Sequence, residues 1–370
     1  MDNNQLATKP HYPILDGLRG VAALIVVCFH LCEPLSTSHF DQLINHGYLA
    51  VDFFFLLSGF VIGYAYDDRW NKLTVGGFLR RRFERLQPLV ILGMTLGAIG
   101  FYFTDSTIWP TIHEVPVWKF LLVLLIGYTI LPIPLSLDIR GWQEMHPLNS
   151  VAWSLFFEYI ANIFYAVGIR KLSNKALFVF VLIAAAALFH FALTNANGDV
   201  TGGWTLNWDH MRVGITRTMY PFFAGLLLSR VAKPTQLNNA FLLCSLLVAA
   251  LLFMPRIGGE AHLWMNGLYE SICIVVIFPV IVYLGASGVI KKPFENKVCK
   301  FLGDISYPLY MVHYPLVYFY VAWVSNNKGI TLAQAWPTAL MTLAGSIVLA
   351  YLSLKFFDEP LRKWLRRKMK

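Results

Sequence analysis

Apolar runs recur along the whole chain at lengths suited to crossing a bilayer, and no other feature restricts the fold so tightly. They lie near 17–35, 48–66, 86–104, 150–168, 176–194, 213–231, 239–255, 267–287, 303–324 and 334–356. A membrane helix needs roughly 17–25 predominantly apolar residues. Hydrocarbon offers the backbone no hydrogen-bond partners, so such runs must satisfy their own N–H and C=O groups as α-helices. Composition agrees, with 57% of the 370 residues apolar or aromatic and 14% charged. Soluble domains carry about 25% charged residues. A disordered, fibrous or nucleic-acid-binding chain is excluded. The expectation is an all-α polytopic membrane protein with about ten transmembrane helices. One further apolar stretch, 119–132, is short and runs into Leu131-Pro132-Ile133-Pro134; it reads as a short re-entrant or interfacial helix.

The basic residues set the orientation. If 119–132 does not cross and the N-terminus is cytoplasmic, 24 of the 30 Lys and Arg fall inside, all but Lys119, Arg140, Arg212, Arg217, Arg256 and Lys328. If it crossed, Arg170, Lys171, Lys175 and the basic 291–300 loop would turn outward, against the positive-inside bias. Both termini are therefore expected in the cytoplasm. The net charge of +9 reads as topology plus attraction to anionic lipid, not as a nucleic-acid footprint. Residues 1–370 are expected to form a single integral-membrane domain, core 12–364, with no separate soluble domain and no cleavable leader. Cys28, Cys32, Cys244, Cys273 and Cys299 form neither a disulfide framework nor a metal-binding spacing.

Ionisable residues inside apolar runs are costly and normally face a wet cavity or a partner. Arg19 and His30 are eleven residues apart, about three helical turns and ~16 Å of rise, so they share one helix face. A blander reading has Arg19 snorkelling to headgroups and His30 at the interface. Asp16 suits the helix N-cap. In the second run, Asp52 either caps its helix or lines an acceptor site. Ser58, Gly59 and Gly63 are small residues that let helices approach closely. Arg80, Arg81, Arg82 and Arg85 are a topology anchor, or a cradle for the phosphates of a nucleotide-like donor. Glu158, on the helix opened by Trp153, needs a cation, a hydrogen-bond donor or a proton, with Arg19 or His30 the natural partners. Tyr307, Tyr310 and His313 recur every three residues and share a face. No metal site is expected.

Taken in order, these motifs resemble one family. Leu15-Asp16-Gly17-Leu18-Arg19-Gly20 with His30, Asp52 through Ser58-Gly59-Phe60, Arg80-Arg81-Arg82 with Arg85 and Pro88, Trp153-Ser154-Leu155 with Glu158, and Ser306-Tyr307 with Tyr310 and His313 resemble the acyltransferase-3 family of integral-membrane O-acyltransferases of bacterial glycans. The resemblance runs from about Tyr12 to Trp364. It implies ten spans and an inner (cytoplasmic) membrane location. It also implies an acyl-coenzyme A donor, acetyl-CoA first among them, held near Arg19 and the Arg80–Arg85 cluster. The acceptor it implies is a hydroxyl of an extracytoplasmic carbohydrate or glycolipid. His30 would be general base or acyl carrier, with Arg19 and Glu158 beside it. Asp52, Ser58, Trp153, Tyr307, Tyr310 and His313 would bind substrate or support the site. Many members carry a C-terminal SGNH-type esterase domain; a stand-alone form is expected here. The main rival is a polytopic transporter or flippase moving a glycan or glycolipid without modifying it. A membrane glycosyltransferase would want an Asp-x-Asp motif, for which Asp67-Asp68 is a poor substitute, and a scaffold leaves the buried polar set unexplained.

Overall fold

The computed structural model describes Lys9 and residues 11–368. Lys370, one of the basic residues assigned to the cytoplasmic side, and both chain termini lie outside the described residues. Among those described, secondary structure is helical, with only isolated β-bridges between loops. The helices are α1 Pro13–Cys32, α2 Ala50–Tyr66, α3 Val75–Gly100, α4 Val117–Tyr128, α5 Ala152–Val167, α6 Asn174–Thr194, α7 Trp208–Val231, α8 Ala240–Phe253, α9 Trp264–Ile272, α10 Phe278–Ala286, α11 Pro293–Asn326, α12 Leu332–Leu352 and α13 Glu359–Lys368. A π-turn, Cys273–Ile277, joins α9 to α10, and another, Ser353–Asp358, joins α12 to α13.

By length and composition, six helical segments among the described residues can cross a membrane: Pro13–Leu35, Gly47–Lys72, Val75–Thr104, Asn174–Thr194, Trp264–Ala286 and Leu332–Leu365. The chain is therefore a multi-pass membrane protein. The other four expected runs are helices that are too short or too polar to qualify. α5 has 16 residues and α8 has 14. α7 is diluted by Arg217 and Arg230, and α11 by its tyrosines, His313 and two prolines. The 119–132 stretch forms the 12-residue α4.

The helix starts depart from expectation at one point. α1 begins at Pro13, whose fixed φ suits a first helical position, so Asp16 falls in the first turn and Tyr12 holds the cap position. Asp16 instead engages Arg19 at 3.4 Å and His11 at 3.0 Å.

Small residues do the packing that their spacing predicted. A Cβ on Gly59 would lie 1.7 Å from the Phe222 carbonyl oxygen, and one on Gly225 2.1 Å from that of Leu56. α2 and α7 therefore touch backbone to backbone. Proline works differently. Pro315 cannot donate to the carbonyl of Met311 four residues back, and Asn149 Nδ2 takes that oxygen at 2.8 Å. The side chain that mends α11 thereby anchors the loop before α5.

One end of the bundle gathers cations. Arg230 reaches Asp67 at 2.5 Å and the carbonyls of Arg170 and Leu172, while Arg170 covers the Trp70 ring. At the opposite end two loops meet. Glu144 bridges Thr205, and Met145 N–H donates to the Trp204 carbonyl at 2.7 Å. A buried network ties this end to α9: Glu270 accepts from Tyr48, from Asn266 at 2.7 Å and from the Val200 N–H at 2.7 Å. His46 joins through Asn266 at 3.0 Å, and Arg256 pairs with Asp199.

Candidate active site

Three cavities lie in series through the bundle, each sharing lining residues with the next. A vestibule of about 470 Å³ at the cation-rich end is lined by Asp16, Arg19, Arg85, Lys300, Asp358 and Arg362 among others. A throat of about 80 Å³ shares Arg19, Arg85, Ser306 and Tyr307 with it, and adds Ser58, Arg82 and Glu158. A chamber of about 540 Å³ at the other end shares Val51 and Tyr310 with the throat and holds His30, Glu33, Glu144 and Arg217. The chamber lies within the roughly 300–1,000 Å³ range of small-molecule sites.

His30 stands in the last turn of α1, one turn before Glu33. Its Nδ1 is 3.2 Å from Glu33 Oε2. A carboxylate only accepts, so Nδ1–H is the donor in this pair. The ring stacks on His313 at 5.7 Å and meets Tyr314 edge-on at 4.9 Å. His313 spends its own Nδ1–H on the carbonyls of Leu309 and Tyr310, at 3.0 and 2.9 Å. Its Nε2 is buried with no partner among the described residues.

Glu158 pairs with neither Arg19 nor His30. Arg82 Nη2 donates to it at 2.6 Å and Ser58 Oγ at 3.1 Å. The three come from α5, α3 and α2 and close the throat. Tyr310 sits at the junction of throat and chamber, its hydroxyl 2.8 Å from Ser154 Oγ, and Tyr307 donates to the Leu86 carbonyl at 2.6 Å. Of the arginine cluster, Arg82 and Arg85 reach the cavities. Arg80 pairs with Glu84 at 3.0 Å outside them, and Arg81 is exposed. Arg85 has no carboxylate within 4.0 Å among the described residues.

Asp52 is buried against Arg217, with Nε–Oδ1 at 3.2 Å and Nη2–Oδ2 at 2.5 Å. It is a fork-to-fork pair in the chamber wall, with the Trp153 ring 5.4 Å from the guanidinium. Sequence reasoning missed Glu33, whose spacing from His30 was a legible signal, and Arg217, which had been counted only as an outer basic residue. It also missed Glu144, which lies in a loop with no motif. Glu144 accepts from Tyr318 at 3.0 Å, and burial pushes its carboxyl up to about 7. Among the described residues no group of three or more His, Cys, Asp and Glu could hold a metal ion.

An imidazole–carboxylate pair thus faces an internal chamber of the membrane bundle, with arginines lining the two cavities on its other side. A sequence profile described as the acyltransferase domain matches residues 12–354, and the chain belongs to the acyltransferase-3 family of acyltransferases. It is 37% identical over 189 residues to "Protein 2 in picA locus" of Rhizobium radiobacter, covering 48% of this chain and 95% of that one. It is 26% identical over 381 residues to a Staphylococcus aureus (strain COL) protein named "Putative O-acetyltransferase SACOL0978", covering 95% of this chain and 58% of the relative. Against the peptidoglycan O-acetyltransferase OatA of Listeria monocytogenes it is 25% identical over 375 residues, covering 96% of this chain and 56% of that one. The chain thus spans a little over half the length of these two longer relatives. No solved structure matches it.

Proposed function

We propose that the protein moves an acyl group, acetyl first among candidates, from acyl-coenzyme A entering at the cation-rich, cytoplasmic end to a hydroxyl of a carbohydrate or glycolipid in the chamber. The observation that carries this reading is the series of cavities, with Arg85, which has no carboxylate within 4.0 Å among the described residues, at the mouth of the throat and the His30–Glu33 pair in the chamber at the other end. Arg19 and Arg85 are placed to hold donor phosphates. The throat's small volume suits a thin arm rather than a nucleotide, so the thioester alone would advance to His30, ~16 Å along α1 from Arg19.

Nε2 of His30 takes the proton of the acceptor hydroxyl, and the oxygen bonds to the thioester carbonyl carbon. The carbon–sulfur bond then breaks, and the coenzyme thiolate receives the proton from the imidazolium. Glu33 orients the ring and stabilises that imidazolium. Glu158, neutralised by Arg82, shapes the throat. Orientation with the Arg85 end in the cytoplasm follows the charge bias, and an inner-membrane location follows the family. Two observations support ten spans: all ten runs coincide with helices, and α4 turns back beside the middle of α3, where Gln87 donates to the Tyr128 carbonyl. A flippase would need a path wide enough for sugar, and the throat holds about 80 Å³ closed by the Arg82–Glu158 pair.

The test follows release of free coenzyme A from acetyl-CoA by purified protein in nanodiscs with an oligosaccharide acceptor. His30→Ala should lower turnover about 10²–10⁴-fold, the usual worth of a general base. Unchanged turnover in a folded variant overturns the mechanism.

A further inference from the structure

Glu144 is 4% exposed and lines the chamber, yet has no cation within 4.0 Å among the described residues. Burying a carboxyl without an ion pair is costly, so what surrounds it is informative. Its partners are hydroxyls, Tyr318 at 3.0 Å and Ser150. The nearby Arg140, more than 4.0 Å from the carboxylate, sits in an aromatic cage, 3.7 Å from the Tyr318 ring and 4.7 Å from that of Trp109, with Nε donating to the Pro147 carbonyl at 2.7 Å. The loop that carries Glu144 is fixed at both ends of its reach, by Asn149 on the Met311 carbonyl and by the bridge to Thr205.

The same chamber presents the indoles of Trp142 and Trp204. Its charges do not favour an anion: Glu33 and Glu144 are carboxyls, and Arg217 is already neutralised by Asp52. Indoles that line the same chamber as a hydrogen-bonding carboxyl, and that also contact Trp109 and His210, suit a neutral pyranose. The C–H bonds on one face of such a ring pack on a π-system, while its hydroxyl and amide hydrogens seek acceptors.

We infer that the wall formed by Glu144, Trp142 and Trp204 is the acceptor subsite, which takes a neutral hexose or N-acetylhexosamine unit through a hydrogen bond to the Glu144 carboxyl and stacking on the indoles. The subsite rests on the acyl-transfer reading and adds to it the residues that select the acceptor. With its carboxyl held near neutrality by burial, Glu144 can both accept from and donate to a sugar hydroxyl.

Calorimetric titration of the full chain in nanodiscs tests this without turnover, with cellotetraose and chitotetraose as probes and coenzyme A titrated separately. Wild type should bind at least one oligosaccharide saturably. Glu144→Ala should weaken that binding about 2–10-fold, as loss of a hydrogen bond to a neutral group does, and leave coenzyme A binding unchanged. Trp142→Ala, at a side chain 39% exposed and so tolerant of truncation, should weaken it several-fold. If Glu144→Ala fails to fold, Trp142→Ala and Glu144→Gln decide. Wild-type affinity in the folded variants, or no saturable oligosaccharide binding by wild type, overturns the subsite. Oligosaccharide binding without coenzyme A binding would leave the subsite standing and overturn the donor reading instead.

Discussion

The throat and the chamber are built from different material. Helix-borne side chains line the throat: Arg19 from α1, Ser58 from α2, Arg82 and Arg85 from α3, Glu158 from α5 and Tyr307 from α11. Its one carboxylate is satisfied within the protein. Ten of the chamber's 22 lining residues lie outside the α-helices, and its carboxyls, Glu33 and Glu144, have no cation within 4.0 Å among the described residues but the His30 imidazole. The difference teaches that the narrow part is framed by helices and closed by an ion pair, whereas the wide part draws on loops as well; under the proposed function the first is the passage and the second the reacting pocket.

The comparison breaks most sharply at its two anchors. Asp52→Ala leaves the buried Arg217 of the chamber wall without its carboxylate, which should cost about 3–5 kcal/mol. Arg82→Ala leaves the partly buried Glu158 without its close cation, which should cost about 1–3 kcal/mol. Thermal unfolding in detergent should register both losses, and a loss at only one would show that the other region does not depend on paired charge. Glu33→Gln should come next. A hydrogen bond to a charged group is worth about 1.5–3 kcal/mol, so kcat should fall ~10–100-fold with donor KM unchanged. A rise in donor KM instead would move Glu33 from the reaction to the passage. Gly59→Leu, which drives a side chain into the α7 backbone, should destabilise by about 1–3 kcal/mol without altering the donor KM of the folded fraction.

A separate effect is one of pH. Burial raises the Glu144 carboxyl from 4.5 to about 7. Below pH 4.5 the folded and unfolded chains both hold the proton. Between about 4.5 and 7 the unfolded chain releases it while the folded protein keeps it, so this group's contribution falls as pH rises and is flat above 7. Glu144→Gln should therefore gain stability relative to wild type on going from pH 4.5 to 7.5. A difference independent of pH would show that the carboxyl titrates alike in the folded and unfolded chains.

The same division explains what could be read from sequence. Apolar periodicity located the helices, and an arginine, a histidine and a glutamate within apolar runs stood out because hydrocarbon tolerates them poorly. Their pairing did not stand out. Asp52 and Arg217 are 165 residues apart, and Glu158 and Arg82 76 apart, distances over which spacing carries no signal. α5, α8, α7 and α11 were expected as spans, yet short length or polar content keeps them from qualifying alone, since neighbouring helices supply what their own surfaces lack. Glu144, Trp142 and Trp204 sit in loops where polar and aromatic residues are ordinary, and only the fold brings them to His30.

The central claim is that the donor enters past Arg85 and reacts at the opposite end. Coenzyme A does not cross bilayers, so its binding to vesicles of defined protein orientation tests the claim without an acceptor. Binding should occur only from the face that carries Arg85, be lost in Arg85→Ala and persist in Glu144→Ala. Binding from the face that carries Glu144, or binding indifferent to Arg85, would contradict it.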